Sequence, residues 1–296
     1  MPIPESQLET WSHQGSIAQS SSTYATIKTA LNATDTGYAE KDFEVFLQGS
    51  YGNDTNIYSE SDVDVVIRLD SVFHHDLTSL PAEQVASFAA AHTDAAYRYA
   101  EFKAHVQTAL EKSFGQSVKP GKRAIKLVAA GARRDADVVV ATQFRRYHRF
   151  FSTADQRYDL GICFFTTDGI RISNYPKYHS ENCTAKHKGS NQWFKPMVRI
   201  LKNMRGKLVD DGVIDKKLAP SYFIEGLLYN VPEDKFKSSY GDTFVACWNW
   251  LHNADRSKFV CPNNQCYLLG ESTVTWPAPD CDKFLESVKD LWNNWS

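Results

Sequence analysis

The sequence predicts an α+β chain in which a sheet-bearing lobe is followed by a helical one, and three observations carry that reading. At 296 residues it is long enough for two domains at about 150 residues each. β-Branched and apolar runs broken by Gly, Asn, Asp and Ser fill much of the first part. From about Asn191 the apolar period becomes that of a helix.

In chain order, residues from about Ser16 to residue 31 have helical character, and residues 44–47 and 63–69 read as strands joined by a turn-rich loop. The Ala-rich stretch 82–114 returns apolar groups every three or four positions and reads as one helix, ended by Gly115; Pro120-Gly121 marks a turn. Strand signals resume at residues 124–129, 136–142, 160–166 and 170–173. PKYHSENCTAKH, residues 176–187, reads as a polar connection between the lobes. Helices are expected over residues 193–207, 221–229, 243–253 and 281–295, which puts the two lobes at residues 1–185 and 186–296. Trp193, Trp248, Trp250, Trp292 and Trp295 each recur beside other apolar positions and belong to the expected core of the helical lobe.

Composition removes several classes. A chain with 42% hydrophobic and 13% aromatic residues is neither disordered nor collagen-like. A net charge of -2, from 33 Lys+Arg against 35 Asp+Glu, argues against the basic surface of a strong nucleic-acid binder; a polyanion must meet a local basic patch. No apolar run approaches the roughly 20 residues needed to span a bilayer. The N-terminal MPIPESQLETWSHQG lacks a secretory signal pattern, so a cytoplasmic protein without membrane partners is expected. Six cysteines are too sparse for a disulfide scaffold, and reduced thiols are expected. Cys261 and Cys266, with Cys247 and His252 upstream, have a C-x4-C spacing that is weak support for zinc.

The sharpest constellation is LQGSYGNDTNIYSESDVDVVIRLD, residues 47–70. Asp62 and Asp64 stand one residue apart at the start of an apolar strand, and the period of two points both carboxylates to one side. Two adjacent anions are costly without a cation. A hard divalent ion takes oxygen ligands and leaves the rest of its shell to water and substrate phosphates. Gly49-Ser50 follows the preceding strand and offers a backbone without Cβ, and a hydroxyl, where a phosphate can approach closely. RRDADVVVATQ, residues 133–143, brings a third carboxylate to a strand head; Asp135 and Asp137 face the same side, so pattern alone leaves the choice between them open. Between Lys186 and Lys207 there are seven Lys/Arg and no Asp or Glu, with Lys195, Arg199 and Lys202 on one helix face. Lys186, Lys188 and Lys207 fit a solvated surface, and the histidines, His179 included, show no ligand spacing.

Gly-Ser, then Asp-x-Asp on the next strand, then a distant Asp followed by Val-Val resembles the nucleotidyltransferase superfamily of poly(A) polymerases, oligoadenylate synthases and cyclic GMP-AMP synthase. GSYGNDTNIYSESDVDVVIRL, FKPMVRILKNMR (194–205), SYFIEGLLYNVP (221–232) and the terminal YLLG...W...F...LW.NW narrow it. They look like the bacterial CD-NTases, the cGAS/DncV-like enzymes of antiphage CBASS operons. The resemblance covers about residues 43–295; it departs where many members have Val-Val-Pro after the third Asp and this chain has Val138-Val139-Val140-Ala141.

The resemblance implies a two-lobed nucleotidyltransferase fold, with a mixed-sheet catalytic lobe and a C-terminal helical lobe. It favours Asp137 over Asp135 and implies that Asp62, Asp64 and Asp137 hold two Mg2+ ions, with Mn2+ also accepted. A nucleoside hydroxyl then attacks the α-phosphate of a bound NTP and pyrophosphate leaves. Gln48, Gly49, Ser50, Lys202, Ser221 and Tyr222 are the implied nucleotide-binding residues, Lys202 and Ser221 on the triphosphate and Tyr222 stacked on a base. Asn182 falls where the family reads the nucleobase, although an ordinary capping or turn Asn fits the same residue. The implied substrates are NTPs, ATP among them, and the implied product is a cyclic di- or trinucleotide that activates a separate effector. Linear oligonucleotide synthesis, or adenylylation of a small molecule or protein, is the alternative.

Overall fold

The computed structural model describes all residues of the chain except Ser16, Glu60, Ser61, Thr273 and Ser296. In chain order the elements are α1 (Glu5–Ser12), α2 (Ile17–Leu31), β1 (Phe43–Leu47), the four-residue helical turn α3 (Gly49–Gly52), β2 (Val63–Asp76), α4 (Ala82–Ala91) and α5 (Tyr99–Phe114). Then come β3 (Val118–Pro120), β4 (Ile125–Leu127), β5 (Ala136–Phe150), β6 (Gln156–Phe165) and β7 (Arg171–Asn174). Five longer helices close the chain: α6 (Pro176–Gly189), α7 (Phe194–Asp210), α8 (Ser221–Asn230), α9 (Tyr240–Asn253) and α10 (Ala278–Asn293). Ser16, the expected start of α2, lies outside the described residues. No helix among the described residues is long and apolar enough to cross a membrane.

The chain forms two compact units, and neither is continuous in sequence. A sheet unit comprises Ala18–Gln48 and Asp62–Pro176; a helical unit comprises Met1–Ile17, Gly49–Ser61 and Lys177–Ser296. The division therefore differs from one cut at 185/186. α1 joins the helical unit because Ile3 and Leu8 are buried in that unit's core. α6 belongs there too from Lys177 onward.

In the sheet unit the strand order is β1-β2-β5-β4-β3, with β6 on β5 and β7 on β6. β2 and β5 run parallel and every other pair is antiparallel, so the sheet is mixed. β5 is long enough to take β4 along its first residues and β6 along the remainder. β2 continues past the turn-like Asp70-Ser71 to Asp76, across a register shift between Leu69 and Phe73. The Asp42 carbonyl, which accepts from the Asp70 and Ser71 amides, satisfies the backbone there. The expected single helix over 82–114 is two: α4 turns Phe88 toward Tyr147 and Phe150, whereas α5 buries Phe102, Val106 and Leu110.

In the helical unit α7 is the central element, its buried residues Phe194, Met197, Val198, Ile200, Leu201 and Met204 packed against α1, α8, α9 and α10. The five tryptophans named above border this core, as expected. α6 escaped the sequence pattern because only His179 and Cys183, one helical turn apart, are buried on it, and its composition is otherwise polar. Pro176 at its first position suits a helix start.

Candidate active site

The sheet unit brings three of the expected positions, Gln48, Asp64 and Asp137, into one row. Leu47 pairs with Val65, and the next residue, Gln48, donates its amide to the Asp64 carbonyl at 3.0 Å. Asp64 is the parallel register partner of Asp137, and Asp137 is the antiparallel partner of Lys126 on β4. Register partners share a face of the sheet, so two carboxylates and an ammonium lie side by side across three strands. Asp62 precedes β2 by one residue and has the same parity as Asp64. Burial, then the charge of Asp62, pushes the Asp137 carboxyl above its ordinary range; Lys126 opposes this and Asp135 adds to it.

Asp135 is occupied differently. Its Oδ1 accepts the Ala129 amide at 2.8 Å and its carbonyl accepts the Val63 amide at 3.1 Å, so it closes the turn that leads into β5. Asp62, Asp64 and Asp137 together form an all-oxygen, anionic donor set where β2 and β5 begin. That donor chemistry fits a hard divalent cation such as Mg2+ or Mn2+.

The helical unit holds the other expected residues. Gly49 has φ +67°, a left-handed conformation that the lack of a Cβ permits. The loop closes on itself through the Asn53 amide on the Gly49 carbonyl, 3.1 Å, and the Thr55 amide on the Ser50 carbonyl, 2.9 Å. The basic stripe of α7 grips the tail of this loop. Lys195 Nζ meets Asp54 Oδ2 at 2.9 Å, Arg199 Nη1 donates to the Asp54 carbonyl at 2.6 Å, and Lys202 Nζ donates to the Thr55 carbonyl at 2.9 Å. Lys202, expected on a triphosphate, is fully buried.

Beside Lys202 lies Glu225, buried on α8. Its Oε2 accepts from His179 Nε2 at 2.6 Å and from Asn53 Nδ2 at 3.2 Å, and its Oε1 accepts from the Thr55 hydroxyl. Burial favours the neutral acid, but the bond to and charge of His179, the charge of Lys202 and the Thr55 hydroxyl outweigh it and hold this carboxyl below its ordinary value. His179, Cys183 and Glu225 place ligand atoms within 4.8 Å of one another, a donor set that zinc accepts. The arrangement is nevertheless that of a hydrogen-bonded network. The 2.6 Å contact joins imidazole to carboxylate directly, and Lys195 and Lys202 put positive charge on Cys183 and Glu225. Cys261 and Cys266 are not drawn together with Cys247 and His252 as a metal set among the described residues.

Ser221 opens α8, and its hydroxyl lies 3.5 Å from Arg205 Nη1, which also donates to the Ala219 carbonyl at 2.9 Å. The Tyr222 ring packs by His179, centroids 4.6 Å apart, and by Trp276 at 5.8 Å; its hydroxyl accepts from Asn263 Nδ2 at 3.1 Å. Asn182 lies inside α6, not at a cap or turn, and donates its amide to the Pro262 carbonyl at 2.7 Å. Glu225, Asn53, Arg205 and Lys126 were not singled out by the sequence, and His179 was named there only as lacking ligand spacing. Only Lys126 leaves a signal there, as the polar member of the apolar alternation Ile125-Lys126-Leu127.

A paired-Asp strand end answered by a third Asp on the parallel neighbouring strand, in a chain whose other unit is helical, is the arrangement that the resemblance to nucleotidyltransferases implies. The chain belongs to the cGAS/DncV-like nucleotidyltransferases, the CD-NTases. Residues 181–293 match the model of the cGAS/DncV-like nucleotidyltransferase C-terminal helical domain. The cyclic UMP-AMP synthase of Rhodothermus marinus is 42% identical over 297 residues, spanning 100% of this chain and 99% of that protein. The solved structure of Rhodothermus marinus CdnE c-UMP-AMP synthase with Apcpp and Upnpp matches with a TM-score of 0.90 at 41% identity, covering 100% of this chain and 98% of that one. Cyclic nucleotide synthase CdnE01 of Staphylococcus haemolyticus is 37% identical over 302 residues, the full length of both.

Proposed function

We propose that this chain is a metal-dependent cyclic dinucleotide synthase that joins UTP and ATP with release of two pyrophosphates. The observation that carries the reading is the Asp64–Asp137 register pair with Asp62 two residues ahead of Asp64. The choice of UTP and ATP is supported by the 42% identity to a cyclic UMP-AMP synthase. In this reading Asp62, Asp64 and Asp137 would together hold two Mg2+ ions. When bound, the ions neutralise the α-phosphate and leaving pyrophosphate and lower the pKa of the attacking hydroxyl.

The chain's own groups orient the nucleotides. Gln48, Gly49 and Ser50 present backbone and hydroxyl groups to phosphate, Ser221 binds the triphosphate, and Tyr222 stacks on a base. Lys202 acts from beneath, through the Thr55 carbonyl it holds. After the first bond forms, the linear intermediate turns so that its own terminal hydroxyl attacks its own α-phosphate, and proximity favours this closure over capture of another nucleotide. The net charge of -2 accords with a short product over a tracked polymer. The proposed setting is a cytoplasmic antiphage system in which the cyclic product activates a separate effector.

The test is incubation of the purified protein with the four α-phosphate-labelled NTPs and Mg2+ or Mn2+, followed by phosphatase. A phosphatase-resistant cyclic UMP-AMP from the wild type, absent with Asp64→Asn, is expected. A ladder of phosphatase-sensitive oligonucleotides, or label on an added aminoglycoside or protein, would overturn the proposal.

A further inference from the structure

Resting on the reading of Gly49-Ser50 as the phosphate-facing turn, we infer that Glu225 is a positioning residue for nucleotide binding: its carboxylate fixes residues 49–55 in their nucleotide-accepting shape. The loop does not owe that shape to an apolar interior. Asn53, Thr55 and Asn56 are 4%, 0% and 3% exposed, so a polar segment is buried and each group needs a partner. Gln14 serves Asn56, through a 2.8 Å bond to Oδ1. Glu225 serves both Asn53 and Thr55, so one carboxylate sets the spacing of the two side chains that follow the turn.

Two features separate this from ordinary core packing. A buried carboxylate is costly, and an apolar residue would fill the same volume at less expense of solvation. Here the charge is matched: Lys202, which stabilises the ionised Glu225, also binds the backbone carbonyl of the same Thr55 whose hydroxyl Glu225 accepts. The loop tail is thus held by side chain and by backbone, from α8 and from α7. Asp54, between the two Glu225 partners, has φ +56°, a left-handed conformation that a non-glycine residue holds only at some cost. Released from the clamp, the segment has that strain to relax, and the turn preceding it moves with it.

The experiment compares Glu225→Gln, Thr55→Val and Thr55→Ser by hydrogen exchange of the loop amides and by steady-state kinetics with UTP and ATP. The Asn53 and Thr55 amides are hydrogen-bonded within the loop and report its closure directly. For Glu225→Gln and Thr55→Val we expect exchange in the loop about tenfold or more faster while α10 is unchanged, and apparent KM raised about tenfold with kcat little altered. Thr55→Ser, which keeps the hydroxyl, should restore both. Thr55→Val is isosteric and decides the matter should Glu225→Gln fail to fold. Unchanged loop exchange in the variants, exchange that rises equally in α10, or a loosened loop with unchanged KM would each overturn the inference. A wild type that makes no nucleotide product would instead defeat the reading of the phosphate turn, while the exchange data would still report whether Glu225 holds the loop.

Discussion

Asp135 and Asp137 differ in what their carboxylates do. Asp137 stands in register with Asp64, whereas Asp135 holds the Ala129 amide. Asp137→Ala should abolish pyrophosphate release, and Asp135→Ala should keep it while lowering Tm; the reverse pattern would make Asp135 the ligand. Asp62→Asn and Asp64→Asn should each remove turnover, yet leave Tm unchanged or higher because carboxylate repulsion is relieved. More than a few per cent residual activity would count against the metal role. His187 gives a pH prediction: burial, Lys195 and Arg199 depress its pKa from 6.5 to about 4. The unfolded chain therefore binds a proton that the folded chain refuses between those values, and stability falls as pH drops from 6.5 toward 4. Melting His187→Asn across that window should give a flatter curve than wild type. The strand that carries Asp64 was legible from its apolar run. The choice between Asp135 and Asp137 was not, because both share parity and only the fold reveals the Ala129 bond.

At the scale of elements, α7 shows how a correct pattern carried an incomplete meaning. Lys195, Arg199 and Lys202 do share a face, as their spacing requires, but each grips Asp54 or Thr55. A partner more than 140 residues away in sequence leaves no mark on local periodicity. The same holds for Glu225, which reaches Thr55 across 170 residues. Lys202→Met should consequently raise the apparent KM for NTPs by about tenfold to a hundredfold and also lower Tm, since a buried charge-assisted bond is lost. Unchanged kinetics with a lowered Tm would confine Lys202 to stability. At the turn before this loop, Gly49→Val should impair activity more than Gly49→Ala, because a β-branched residue tolerates φ +67° least. Equal rates for the two variants would show that the turn's conformation is not critical.

The whole chain interleaves its two units, which no local pattern announced: the change of period near Asn191 marked the helices but not the early segments that complete their core. Residues 1–17 contribute Ile3 and Leu8, and the Trp295 amide donates to the Met1 carbonyl at 3.1 Å. Deleting residues 1–12 should therefore lower Tm and raise binding of a hydrophobic dye; a truncated protein that melts like the full chain would refute this. The loop of residues 49–55 has a further consequence in the order of synthesis. A ribosome adds roughly 5–20 residues per second, so Asn53, Asp54 and Thr55 emerge about ten to thirty seconds before the helices that secure them. During that interval the strands on either side can already pair, while the polar turn between them remains open to water. Asp62 and Asp64 thus leave the ribosome well before the partners of the 49–55 loop, and in the proposed reading the newborn enzyme should acquire its capacity for a nucleotide last.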